Sequence, residues 1–166
     1  MSSVALAVVG DNLWIGASQV RVGTDVGRVF LFNGSTGALL GDLVANNPNV
    51  SAFGVSLAAS ERYLLVGAPA SNGGAGAAVL YDAATRQPLR VLASPLAGAR
   101  DGGFGASVGL ATHRFIVGES GADFTSLADA GAVHGFEHEG GLVDIGPLAG
   151  LTTLRQLSLR GNQITN

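Results

Sequence analysis

The stretch FGVSLAASERYLLVGAP, residues 53–69, holds two short apolar runs on either side of the polar turn Ser60-Glu61-Arg62. Apolar runs of this length, joined by so few residues, read as a β-hairpin. The same text recurs as FGASVGLATHRFIVG at residues 104–118 and, without its leading Phe-Gly, as VALAVVGDNLWIG at residues 4–16. Gly16, Gly67 and Gly118 close the three copies at equal intervals of 51 residues. A fixed period with strand-like content is the signature of a repeat architecture, in which each unit buries its faces against its neighbours.

The remainder of each period also reads as β-strand. In the first unit the expected strands are 4–9, 13–15 (ended by Gly16), 28–32 and 38–45; in the second they are 53–59, 62–68, 76–82 and 88–93. The third unit gives 104–111, 114–118 and 131–136, but after Glu139-Gly140-Gly141 the pattern changes and no fourth strand is expected. The last two strands of the first unit flank Asn33-Gly34-Ser35-Thr36-Gly37, and those of the second flank Asp82-Ala83-Ala84-Thr85-Arg86. An Asn or Asp side chain at the head of such a turn accepts the backbone N–H groups that follow it, which fixes the hairpin.

Composition supports an all-β chain. Only 13% of the 166 residues are charged, against a usual share of about a quarter, while glycine reaches 26. Solvated helical faces are therefore scarce and tight turns abundant. The formal net charge is −3 and the 9 Lys and Arg residues are scattered. Counterion-driven nucleic-acid binding and attachment to an anionic membrane both need a clustered basic surface. There is no cysteine, which excludes disulfides, thiolate metal sites and a cysteine nucleophile. No run approaches the roughly 18 uninterrupted apolar residues of a membrane helix. The amino-terminal MSSVALAVVGDNLW has no basic leading segment, so it reads as a first strand rather than a secretory signal.

The elements FG-x-S, a short turn, V-G-A-P and a later G-x-V-x-x-[FY] resemble the FG-GAP repeat of integrin-α-like β-propellers, in the short-turn variant of bacterial exported proteins. The second unit fits throughout. The first departs at Ser2-Ser3 and at Gly16-Ala17-Ser18, and the third at Gly118-Glu119-Ser120. The resemblance covers residues 2 to about 138. It implies a partial β-propeller of about three four-stranded antiparallel blades, at about 1–50, 51–101 and 102–139. In that reading Phe53, Leu57, Leu64 and Val66 form an apolar layer between blades, and Gly54, Ser56, Ala58, Gly67 and Ala68 permit close sheet-on-sheet approach.

Residues 142–166 change period. Leu151, Leu154, Leu157, Leu159, Asn162 and Ile164 fit the leucine-rich-repeat pattern and resemble the internalin-type repeat of bacterial surface proteins. A solenoid needs at least three repeats to stand, so a truncated sequence is expected.

Few constellations suggest chemistry. Gly105-Ala106-Ser107-Val108-Gly109 matches the G-x-S-x-G of hydrolases, but that elbow requires a strand, a strained turn and a helix. Here the chain continues as a hairpin, and Ser107 aligns with Ser56 and Ala5 as a packing position would. His134 and His138 stand four apart with Glu137 and Glu139 beside them; on a strand this is not zinc spacing, and it reads as a solvated strand end. His113 falls in a turn and is expected to be exposed. Gly73-Gly74-Ala75-Gly76 lacks the helix and lysine of a phosphate loop and reads as a turn.

Acidic residues fall between the second and third strands of a unit: Asp25 in the first, and Glu119, Asp123 and Asp129 in the third. Calcium takes six to eight oxygens from a closely spaced acidic loop, which no segment supplies. Integrin-type repeats place that loop between their first two strands, where this chain has Gly10-Asp11-Asn12, Ser60-Glu61-Arg62 and Thr112-His113-Arg114. Glu119, Asp123 and Asp129 remain the one calcium candidate; no other cofactor is expected.

The expected function is that of a non-catalytic repeat protein. It would bind a protein or glycan, as in adhesion, outside the cell or at a bacterial surface, without nucleic acid or membrane insertion. The alternatives are a propeller hydrolase or lyase using acidic loop residues, which would need converging titratable groups that the repeats do not align, and a non-functional fragment.

Overall fold

A computed structural model describes residues 4–22, 25–45, 49–96, 101–111, 114–123, 130–137 and 142–143. It contains twelve strands: β1 (Val4–Val9), β2 (Asn12–Val22), β3 (Asp25–Asn33), β4 (Leu39–Leu43), β5 (Ser56–Ala59), β6 (Tyr63–Ala68), β7 (Ala77–Asp82), β8 (Pro88–Leu92), β9 (Phe104–Leu110), β10 (Arg114–Glu119), β11 (Ala132–Glu137) and β12 (Leu142–Val143). One 3-10 turn, Asn72–Gly74, is the sole helical element among the described residues. Sequential strands pair antiparallel into three four-stranded sheets, β1 to β4, β5 to β8 and β9 to β12, none of them closed. The all-β class and the 51-residue unit are thus seen directly.

The turns form as their chemistry dictates. Oδ1 of Asn33 accepts the backbone N–H of Ser35 at 3.0 Å and of Thr36 at 2.8 Å, and the Thr36 hydroxyl at 3.0 Å. Oδ1 of Asp82 accepts the equivalent set, Ala84 at 3.1 Å, Thr85 at 2.7 Å and the Thr85 hydroxyl at 2.9 Å. The Thr85 N–H, foremost, and its hydroxyl hold the Asp82 carboxyl below its ordinary value, because both bonds favour the charged form. Pro88, which has no N–H to give, opens the outermost strand of its sheet, where no ladder bond is lost.

The sheets stack in chain order. One core joins the first and second: Trp14, Val29, Leu31 and Leu43 pack against Leu64, Val66, Val79 and Tyr81. A second core joins the second and third: Leu65, Ala78, Leu80 and Leu92 pack against Phe104, Phe115, Val117 and Phe136. Alternate residues of β6 enter opposite cores, so all six of its residues are buried. In β10 only every second residue is buried, through Phe115, Val117 and Glu119.

The Phe-Gly pair is the joint between sheets. Phe53 bridges in parallel to Gly27 of the first sheet, and Phe104 to Gly76 of the second. The N–H of Phe53 donates to the Val26 carbonyl at 3.2 Å, and that of Phe104 to Ala75 at 3.0 Å. Each ring turns edge-on to an aromatic of its own sheet, Phe53 to Tyr81 at 6.1 Å and Phe104 to Phe136 at 6.2 Å. Gly54 and Gly105 hold φ of 89° and 93°, a region that favours glycine. A Cβ on Gly16 would strike the Gly54 carbonyl, and one on Gly67 the Gly105 carbonyl. Ser56 Oγ donates to that same Gly105 carbonyl at 2.8 Å.

Several expected boundaries shift for this reason. Gly16 does not end its strand; β2 runs on to Val22, since the glycine answers a close approach rather than a turn. The strand expected over 53–59 begins only at Ser56, because Phe53 and Gly54 are drawn to the preceding sheet. The third unit does have a fourth strand: Gly135 pairs with Val143 and Phe136 with Leu142. The leucine-rich pattern that follows, residues 144–166, lies outside the described residues.

Candidate functional site

The one buried polar cluster with an ion pair lies between the second and third sheets, among the described residues. Glu119 is the last residue of β10 and is not part of a loop. Its side chain turns into the inter-sheet core, as alternation along β10 requires after Phe115 and Val117. His134 of β11 faces the same way, two residues before Phe136, and is likewise buried rather than a solvated strand end. The placing of Glu119 between strands and the reading of His134 as a solvated strand end are therefore corrected. A strand buried against a neighbouring sheet leaves no solvated alternate face on that side.

The geometry is a shared acceptor. Oε2 of Glu119 accepts Nε2–H of His134 at 2.8 Å and the Ser94 hydroxyl, from the chain after β8, also at 2.8 Å. The His134 ring leans on Phe104 at 5.4 Å between centroids. Oε1 of Glu119 is buried with no hydrogen-bond partner among the described residues and lies close beside Gly102, where any Cβ would meet it. An unpaired buried carboxylate oxygen is costly unless a proton, water or cation supplies what the protein does not.

This arrangement cannot run nucleophilic catalysis as it stands. Ser94 and His134 both give hydrogen bonds to the carboxylate, whereas a serine nucleophile needs the imidazole as its own base, oriented in turn by the acid. Ser107 is exposed and paired across the sheet from Gly118 in the middle of a hairpin, without the strand, turn and helix that an elbow serine requires.

Of the calcium candidates, Glu119 is buried in this pair, Asp123 is exposed just beyond β10, and Asp129 lies outside the described residues. Asp25 opens β3; His113 and His138 also lie outside the described residues. No three His, Cys, Asp or Glu side chains converge on a common point among the described residues.

The repeat itself marks the Glu119–His134 pair as buried. Counting from Gly67 and Gly118, Glu119 stands where the second unit has Ala68; counting from Gly76 and Gly131, His134 stands where it has Val79. Ala68 and Val79 are core residues, so a polar pair at those positions had to be buried too. No helix among the described residues is long and apolar enough to cross a membrane. No protein-family model matches the chain, and neither does any curated protein.

Proposed function

We propose that the chain is a non-catalytic binding scaffold whose three sheets are propeller blades of the FG-GAP type. They are joined to an internalin-like leucine-rich repeat and present protein- or glycan-binding loops outside a bacterial cell. The observation that carries this reading is the use made of the repeated residues. Phe53, Phe104, Gly16, Gly67, Gly54, Gly105 and Ser56 are all consumed in joining one sheet to the next. What recurs is architecture, and no titratable residue type recurs at the same position in all three units. Recognition then falls to the residues that vary between units, above all the connection from β10 to β11, which differs in length and charge from its counterparts. Loops on a rigid scaffold are where binding residues concentrate.

The test is a glycan and extracellular-protein binding screen with the whole chain, repeated after residues 123–129 are replaced by a Gly-Ser segment of equal length. Binding that disappears while Tm is unchanged supports the reading. A well-folded chain that binds nothing, or whose binding ignores the replacement, overturns it.

Calcium belongs to the same proposal in a limited form. Among the described residues Oε1 of Glu119 is the buried carboxylate oxygen without a hydrogen-bond partner, and Asp123, Asp129 and backbone carbonyls would have to supply the rest. Millimolar calcium should raise Tm, and Asp123→Ala with Asp129→Ala should remove the rise; an unchanged wild-type Tm rejects the ion.

A further inference from the structure

The inter-sheet interface is made twice within the chain, and among the described residues its two halves are left uncovered at the two ends of the stack. Equivalent positions make this plain. Trp14 and Leu65, each facing the sheet that follows, are 1% and 0% exposed, whereas Ile116, the same position in the third sheet, is 45% exposed. Gly16 and Gly67 abut the backbone of the following sheet, but at Gly118 the atoms a Cβ would meet first are those of Ser107 in its own sheet. Ser107 corresponds to Ser56, whose hydroxyl reaches the following sheet, and Ser107 itself is exposed.

The opposite half is bare at the other end. Leu57 and Ala59 of the second sheet, and Val108 and Leu110 of the third, pack against the sheet that precedes them. Their counterparts in β1 are Leu6 and Val8, which with Val4 are 61%, 66% and 64% exposed. The β-ladder continues this apolar face across the sheet: Leu6 stands beside Ile15 and Phe30, and Val8 beside Leu13 and Phe32. Val4, Leu6 and Val8 are exposed and Leu13, Ile15, Phe30 and Phe32 half-buried, and a contiguous apolar face of this kind marks an interaction site.

We propose that the chain associates head to tail with a second copy of itself, the outer face of its first sheet seating on the outer face of its third. The occupant follows from continuity with the interfaces already present. The first sheet carries the half that the second and third use to receive a predecessor. The third sheet carries the half that the first and second use to receive a successor. Bulk is matched in the same sense: Leu6, Phe30 and Phe32 meet a face where Gly109 and Gly118 flank Ile116. The contact is heterologous, so it either closes into a ring or repeats. Where the internal joints have Phe-Gly, the first unit has Ser2-Ser3. The intermolecular joint therefore lacks the aromatic anchor and forms as a concentration-dependent assembly.

Sedimentation and light scattering of the whole chain over a concentration series test this. The expected result is a weight-average mass rising to at least about twice that of one chain. Leu6→Arg and Ile116→Arg, both at exposed positions, should each block growth while leaving the unfolding transition unchanged. Mixed together, they should form a heterodimer and stop there, because each retains the one good face that the other lacks. A wild type that stays monomeric at every concentration overturns the proposal. So does a mixture that stays monomeric, or two single variants that assemble as the wild type does. A longer natural chain whose further units cover both faces, seen as a monomer, overturns it equally.

Discussion

The second and third sheets carry the same motif, yet their central strands live in different surroundings. β6 is buried on both faces, between two cores, while β10 is buried on one. At one point the contrast is chemical. The second sheet places Ala68 and Val79 against its predecessor, and the third places Glu119 and His134 there. Position in the stack therefore decides how much a residue is worth, and the same repeat text gives different answers at different sites. The polar pair is held at this joint by the bonds that His134 and Ser94 give to one Glu119 oxygen, and leaving one buried charge alone costs more than the pair contributes.

The sharpest way to break that contrast is Glu119→Ala, which strips both His134 and Ser94 of their acceptor. A loss of about 3–5 kcal/mol is expected from denaturant unfolding. Adding His134→Val, so that the third sheet copies the second, should return stability to within about 1 kcal/mol of the wild type. A double variant as unstable as the single one would show that the pair is not the isolated unit described.

Tyr81 and Phe136 hold equivalent places in the two sheets. Burial pushes the Tyr81 phenol up to about 12 from its ordinary 10.0. The unfolded chain releases that proton first, so the contribution is complete below about pH 10 and is lost as pH climbs toward 12. The loss amounts to roughly 3 kcal/mol. Tyr81→Phe should flatten this alkaline limb in a pH series of unfolding midpoints; an unaltered limb would assign it to other groups.

Gly67→Ala and Gly118→Ala compare the joint when made and when bare. The first drives a methyl into the Gly105 backbone, the second only against a serine hydroxyl that can rotate. Losses of about 2 kcal/mol and under about 1 kcal/mol are expected in thermal unfolding; equal losses would deny that the following sheet is what matters.

The smallest effect concerns the turns, where the first unit has Asn33 and the second Asp82. Because the Asp82 carboxyl is held low, its contribution is present above the ordinary carboxylate value of 3.8 and fades as pH falls through the lowered one. Asp82→Asn keeps the acceptor but not the charge, so Tm at pH 7 should fall slightly while the acid limb becomes shallower; an unchanged acid limb would assign it to other carboxyls.

Periodicity and turn chemistry were enough to place most strands, because the constraints involved are local: alternation, an Asx turn, a proline at a strand start. Features set by contact between units were harder to read. Gly16 looked like a strand end although it marks the approach of Gly54, and Phe53 looked like the start of a hairpin although it docks on Gly27. The two-residue β12 carries too little pattern to be seen at all. Glu119 read as a residue between strands and His134 as a solvated strand end, although the repeat position of each already assigns it to a core. The alternation that buries them is present in the letters, but only once the sheet behind them is known.

The backward docking of each Phe-Gly pair gives the chain a direction in time. A polypeptide leaves the ribosome amino terminus first, so β3 with its Gly27 has been synthesised before Phe53 emerges, and Gly76 before Phe104. Each new unit thus meets a finished template rather than waiting for a distant partner. Pairing is confined to hairpins and to the nearest earlier sheet, which keeps the loops to be closed short and favours stepwise, sheet-by-sheet folding during synthesis.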